Sequence, residues 1–171
     1  MSANWRVEGL SKSHDCSQFS CGESALDEYL ARFARQNHES GIAKTFVAVG
    51  GENSRQVLGY YSISAGAIDR ENLPARAAKR FPSFPVPVAR LARLAVDQAF
   101  QGRGLGEHLL MDALRRVFRA SSDIGIVALL LDAKHEKAKR FYARYEFESL
   151  PDHPLKLWLP MAAIVKLFPD T

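Results

Sequence analysis

Within this chain, Arg93-Leu-Ala-Val-Asp97, a three-residue spacer, Gln101-Gly-Arg-Gly-Leu-Gly106 and a long apolar-striped segment follow one another without a break. The order reads as a buried strand, a tight glycine turn and an amphipathic helix. Leu105, Leu109, Ala113 and Val117 recur at helical spacing, and Leu110 and Leu114 widen the stripe. Glycines at 104 and 106 sit where a backbone has to approach an anion closely, so that the N–H groups of the first helical turn can point at phosphate oxygens. Two glycines alone fit a plain flexible turn equally well. The remainder of the chain has to decide between the two.

A chain of 171 residues with 47% hydrophobic content supports one domain, residues 1–171, with a sizeable core. No run approaches the roughly 20 apolar residues of a membrane span, and the start Met-Ser-Ala-Asn-Trp-Arg lacks a secretory pattern, so a cytoplasmic protein with no membrane partner is expected. Cys16 and Cys21 form a lone pair at short spacing, short of a four-ligand zinc site; plain thiols and no metal are expected. The net charge of +4 is modest, yet the basic residues cluster. Lys134, Lys137, Lys139, Arg140 and Arg144 form one group, and Arg76, Lys79, Arg80, Arg90 and Arg93 form another. From charge alone, such groups suit either a polyanionic partner or an ordinary solvated face.

Alternating elements fill the rest. A strand is expected over Trp5–Leu10. Ser20-Cys-Gly-Glu23 has the form of a capping box, and Leu26, Leu30 and Phe33 follow at i, i+4 and i+7, which predicts a helix from about Glu23 to Asn37. Thr45–Val49 and Val57–Ile68, separated by Gly50-Gly51-Glu52-Asn53, predict a hairpin. Prolines at 74, 82, 85 and 87 exclude a long regular element from Asp69 to Pro87, apart from a short helix over Ala75–Arg80. Strands are expected at Val88–Val96, Ile126–Asp132, near Phe147 and at Lys156–Met161, with helices at Gly104–Arg119 and Glu136–Tyr145.

The strand with its Arg-Leu-Ala-Val end, Gln101-x-x-Gly104-x-Gly106, and Ala138-x-x-Phe141-Tyr142 followed by Phe147 together resemble the GNAT superfamily of acetyl-CoA-dependent N-acetyltransferases. Phe19-x-Cys-Gly22, Leu26-Asp-x-Tyr-Leu30, Gly59-Tyr-Tyr-Ser62, Leu73-Pro74 and Pro87-Val-Ala-Arg-Leu-Ala-Arg-Leu-Ala-Val96 are similar, more narrowly, to the GNAT toxins of bacterial toxin–antitoxin modules. The resemblance runs from the first strand to about Met161. It implies an α/β (α+β) GNAT fold, a mixed sheet of six to seven strands flanked by helices and splayed between its two central parallel strands. It also implies that acetyl-CoA, with no metal, is held by Leu94, Ala95 and Val96 at the strand end and by Gln101, Gly102, Arg103, Gly104, Leu105 and Gly106. A main-chain N–H near Val96 would steady the thioester oxygen. The partners implied are aminoacyl-tRNA, a ribbon-helix-helix antitoxin that brings promoter DNA, and a second copy in a homodimer.

Tyr142 matches the tyrosine that the family places beside the departing sulfur. An ordinary phenol near pKa 10 is weaker as an acid than a thiol near 8.5 by about 1.5 units, or roughly 2 kcal/mol, a small debt beside an enzymatic acceleration. Phe141 is expected to pack in the core. No Asp, Glu or His stands where a general base is compelled. An α-amine near pKa 7.7 is about one-third neutral at pH 7.4, whereas a lysine amine near 10.4 is neutral in about one molecule in a thousand, so an aminoacyl ester needs little help. Arg90 and Arg93 are candidates for contacts with the phosphates of such a substrate. A small-molecule amine N-acetyltransferase is the alternative, although it predicts an acidic cleft, and a coenzyme pocket kept only as structure would not need Tyr142. Two positions depart from the family pattern: His135 stands where asparagine is common, and Glu146 where a glycine usually precedes the phenylalanine. A left-handed Glu146 would cost about 1 kcal/mol relative to glycine, so a differently built turn is expected there.

Overall fold

The computed structural model describes residues 4–51 and 53–169. Met1–Ala3 at the chain start and Glu52 of the hairpin turn lie outside the described residues. Strand β1 (Arg6–Gly9) leads to helix α1 (Ser24–Glu28), which continues through a π-helical turn (Tyr29–Phe33) into α2 (Ala34–Ser40). Strands β2 (Lys44–Val49) and β3 (Gly59–Ile68) follow, then a 3-10 turn (Arg70–Asn72), the short helix α3 (Ala75–Ala78) and β4 (Val86–Val96). A second 3-10 turn (Gln98–Phe100) precedes α4 (Leu105–Ala120), and the chain closes with β5 (Ala128–Asp132), α5 (Glu136–Ala143), β6 (Glu148–Leu150), β7 (His153–Pro160) and α6 (Met161–Lys166).

The strands form one seven-stranded mixed sheet in the order β1-β2-β3-β4-β5-β7-β6. β1, β2 and β3 pair antiparallel, β4 and β5 pair parallel, and β7 is antiparallel to both β5 and β6. The parallel ladder runs from Ala89 opposite Leu129 to Leu91 opposite Leu131, while β4 itself continues to Val96. This is the splayed parallel pair expected from the sequence.

The residues divide into two compact units. The first holds the chain up to Ser64 together with Ala92–Ala113, and the second holds Ala65–Leu91 and the chain from Leu114 onward. The core of the first packs Leu26, Tyr29, Leu30 and Ala34 of the broken helix against Val47, Val49, Tyr60 and Ala95. In the second, Leu73 and Ala77 pack with Val86, Val88, Leu130 and Trp158. Leu109, Leu110, Ala113 and Leu114 of α4 are fully buried, as their spacing predicts.

Several local expectations are corrected. The capping box at Ser20–Glu23 does not form: Glu23 is the N-cap without a side-chain cap bond, and the Ser20 N–H donates instead to Asp97 Oδ2 at 3.0 Å, a tertiary acceptor that local pattern cannot foresee. Phe33 is 47% exposed and Ala34 takes its inward place. The π turn inserts an extra residue, which rotates everything after it relative to the i, i+4, i+7 stripe. β4 starts at Val86 and so includes Pro87, whose carbonyl accepts from the Val127 N–H; a proline keeps its acceptor when it loses its donor. The last strand ends at Pro160, and Met161 opens a six-residue helix that is too short to show a periodic stripe.

Candidate active site

In the first unit, the β4 end carries Leu94, Ala95 and Val96, of which Ala95 is buried. The next residue, Asp97, is a buried carboxylate that ties the loop down. Its Oδ1 accepts from the Ala99 N–H at 2.9 Å and caps the 3-10 turn, while its Oδ2 holds Ser20. Gln101 Nε2 donates to Val96 O at 2.9 Å and to Cys21 O at 3.0 Å. Both amide hydrogens are thereby committed to protein carbonyls, so the Gln101 side chain braces the turn against the strand end.

The glycines that follow take the conformation an L side chain resists. Gly102 has φ +79° and Gly104 has φ +87°, and a Cβ at either would meet nothing within 4 Å. Their outer faces are open to a close approach. Gly104 O accepts from the His108 N–H at 3.0 Å, so the N–H groups of Gly104, Leu105, Gly106 and Glu107 are the four that an α-helix leaves without an intrahelical acceptor. Leu105 is buried and anchors this turn in the core, which fixes where those donors point. The sixteen-residue α4 adds its dipole, and exposed Arg103, its guanidinium carbon 5.0 Å from the Phe100 ring centroid, adds a cation. A left-handed glycine pair, free first-turn donors and an adjacent arginine fit a pyrophosphate well.

Arg93 lies in the same unit. Its guanidinium carbon sits 3.5 Å from the centroid of the Tyr29 ring, close for a cation–π contact. Cys16 and Cys21 are both free thiols, and burial pushes Cys21 up to about 11.

In the second unit, β5 delivers the chain to α5. His135 is the N-cap, with Nδ1 accepting from the Ala138 N–H at 3.2 Å, so its imidazole starts the helix in the way asparagine often does. Tyr142 is 92% buried and meets Phe141 and Phe147 edge-on at 5.1 and 5.6 Å. Burial alone pushes its phenol well above the ordinary value, which keeps the O–H protonated. The expected packing is partly reversed: Tyr142 is the buried ring of α5, whereas Phe141 is half-exposed between Tyr142, Tyr145 and the Arg144 guanidinium. Glu146 adopts φ +71°, so the turn keeps the left-handed conformation that glycine usually supplies and, despite the cost, is not built differently.

Arg90 also belongs to this unit. Its Nη2 donates to Ala67 O at 3.3 Å, and its stem crosses Gly66, where a Cβ would come within 2.6 Å of Nε. It lines a cavity of about 280 Å³ with Asp69, Asn72, Asp132, His153 and Lys156. Apart from Arg90, these lining residues are not foreseeable from the sequence; they carry no motif, and only the turn between β6 and β7 brings His153 and Lys156 to the end of β5. Arg76 of the same basic group is neutralised by an ion pair with Glu148.

Comparison with known proteins agrees with this geometry. Residues 41–149, from just before β2 into β6, match the acetyltransferase (GNAT) domain. The chain is 41% identical over 152 residues to a tRNA-acetylating toxin of Mycobacterium tuberculosis (strain ATCC 25618 / H37Rv), covering 89% of each chain. Among solved structures it is similar to AtaT complexed with acetyl-methionyl-tRNAfMet, with 32% identity, a TM-score of 0.89 and coverage of 96% of this chain and 99% of that one. It is also similar to a tyrosine-to-phenylalanine variant of AtaT bound to the C-terminus of the antitoxin AtaR and acetyl-CoA, with 28% identity, a TM-score of 0.82 and coverage of 96% and 98%. A domain match over most of the chain, one that takes in the strand, the glycine loop and the helix behind it, places this protein in the GNAT acetyltransferase family.

Proposed function

We propose that this chain is a toxin that transfers the acetyl group of acetyl-CoA to the α-amine of aminoacyl-tRNA. The observation that carries the reading is the 41% identity, over 89% of both chains, with a tRNA-acetylating toxin. Acylation removes the nucleophile needed for peptide-bond formation, so charged tRNA is spent and translation stalls. β3, β4 and α4 each run through both compact units, which supports treating residues 1–171 as one catalytic domain.

When bound, acetyl-CoA supplies an activated thioester. The N–H groups of Gly102 to Gly106, aided by Arg103, hold the pyrophosphate, and Leu94, Ala95 and Val96 offer main-chain groups to the pantetheine arm and to the charge developing on the thioester oxygen. Tyr142 would offer its O–H to the departing sulfur. With its pKa raised by burial, the phenol is a poorer proton donor than an exposed tyrosine, so its contribution is a hydrogen bond to the developing thiolate. No base is required of the chain, because an α-amine near 7.7 is about one-third neutral at pH 7.4. Arg90 and Arg93 meet substrate phosphates.

The same reading includes a cytoplasmic homodimer neutralised by a ribbon-helix-helix antitoxin, with promoter DNA reached through that antitoxin. The test is incubation with labelled acetyl-CoA and total charged tRNA, followed by identification of the labelled species. Label on the α-amine of an aminoacyl ester is expected. Label confined to polyamines or other small amines would overturn the reading in favour of a small-molecule acetyltransferase.

A further inference from the structure

Arg93 is held with more care than a surface cation requires. Tyr29, beneath its guanidinium, is 6% exposed and fixed at both ends. Its Oη accepts from Asn37 Nδ2 at 3.2 Å, and its ring stacks on Tyr60 with centroids 6.5 Å apart and planes 18° from parallel. Tyr60 is in turn pinned by its Oη donating to Leu26 O at 2.7 Å. Tyr29 is also the first residue of the π turn, and that turn brings Tyr29 and Leu30 inward together while sending Phe33 out. Such turns are wider than the α-helix prefers and recur at functional sites.

Arg93 itself is half-buried, and among the described residues it forms no ion pair with a carboxylate. A guanidinium partly withdrawn from water without a counter-charge is costly to maintain. Stacking on the Tyr29 face occupies only the π surface of the guanidinium and leaves its in-plane N–H donors at the edge, in the fork geometry that suits phosphate. Two other arginines of the same basic group are placed differently: Arg90 donates to Ala67 O, and Arg76 is paired with Glu148.

We propose that Tyr29 is a positioning residue that clamps Arg93 so that its free edge binds a phosphodiester of the RNA acceptor, and that the π turn serves this clamp. The inference rests on aminoacyl-tRNA being the substrate. It predicts that the shape of the guanidinium matters as well as its charge, because a lysine ammonium at 93 cannot stack flat and present a fork.

The test compares the wild type with Tyr29→Phe, Tyr29→Leu, Arg93→Lys and Arg93→Gln by initial-rate acetylation of charged tRNA at several salt concentrations. Tyr29→Leu and Arg93→Lys should each raise KM for aminoacyl-tRNA by about 5- to 20-fold, with kcat and KM for acetyl-CoA within about twofold, and Arg93→Gln should lower the salt slope by about one. Tyr29→Phe keeps the ring but loses the hydrogen bond from Asn37, so its KM for aminoacyl-tRNA should fall between those of the wild type and Tyr29→Leu. Unchanged tRNA KM in Tyr29→Leu, or a Tyr29→Phe variant as impaired as Tyr29→Leu, overturns the clamp. If Tyr29→Leu does not fold, the Arg93 variants decide. Filter retention of deacylated tRNA requires no turnover and separates RNA contact from acetyl transfer. Loss of retention in Arg93→Gln alongside an inactive wild type would refute acetyl transfer and keep the RNA contact, whereas equal retention by all variants would refute the contact itself.

Discussion

Glu146 offers the sharpest quantitative test, because its conformation and chemistry disagree. It is an exposed residue at φ +71°, in the turn that carries the chain from α5 into buried Phe147. The left-handed region costs an L residue about 1–2 kcal/mol, and glycine escapes that cost while losing about 0.5–1 kcal/mol more backbone entropy on folding. Glu146→Gly should therefore stabilise the protein by about 0.5–1 kcal/mol. For 171 residues, an unfolding entropy of about 2.1 cal/mol/K per residue converts this to a rise in Tm of about 1.5–3 °C. Scanning calorimetry of the wild type, Glu146→Gly, Glu146→Asn, Glu146→Gln and Glu146→Ala isolates the cause. Gln removes the charge and Ala removes the side chain beyond Cβ, yet both keep the strained backbone, so neither should gain; Asn should gain part. A Glu146→Gly protein no more stable than the wild type, or an Ala variant that gains as much, would refute the conformational argument.

Tyr142→Phe should lower kcat by about 10²–10³-fold while KM for acetyl-CoA stays within about twofold, because only the interaction with the leaving sulfur is lost; equal losses in kcat and coenzyme affinity would reassign Tyr142 to binding. Since burial raises the Tyr142 pKa, the phenol remains protonated as pH increases, and kcat/KM should rise with the amine through about pH 7.7 and then stay level to about pH 9.5, checked by rapid-quench rates; a fall across the upper range would show the phenol ionising early. Gly59→Ala would place a Cβ 2.9 Å from Leu109 Cδ1 and 3.1 Å from the Ala95 carbonyl, and urea unfolding should show a loss of about 1–3 kcal/mol. Cys21, pushed up to about 11 from 9.0, should alkylate about 100-fold more slowly at pH 8 than an unperturbed thiol, as read by mass spectrometry after iodoacetamide treatment.

Local chemistry makes a large part of the site legible in the sequence. Gly102 and Gly104 are left-handed and α4 is buried along its predicted stripe, because turn geometry and helical period are properties of neighbouring residues. Glu146 runs against that local reading, because the cost to a non-glycine residue argues for a differently built turn, yet the residue is left-handed. The π turn is not legible either, since nothing in Tyr29–Phe33 itself forbids an ordinary helix; Tyr29 packs against Tyr60 and Arg93, residues far along the chain. Gln101 has the position of a ligand donor, and the tie of its side-chain amide to Val96 and Cys21 is not legible, because the Cys21 carbonyl reaches it only in the folded chain.

The sequence alone thus determined the alternation of strands and helices, the glycine loop at the start of α4 and the residue types able to hold a phosphorylated coenzyme. These follow from short-range sterics and from which faces can be buried. Only the tertiary structure decided which of those residues brace the loop and which remain open to a ligand, which aromatic ring of α5 is buried, and which arginine of the basic group stacks on a tyrosine. Those outcomes depend on hydrogen-bond partners and packing surfaces that lie tens of residues away and become neighbours only on folding.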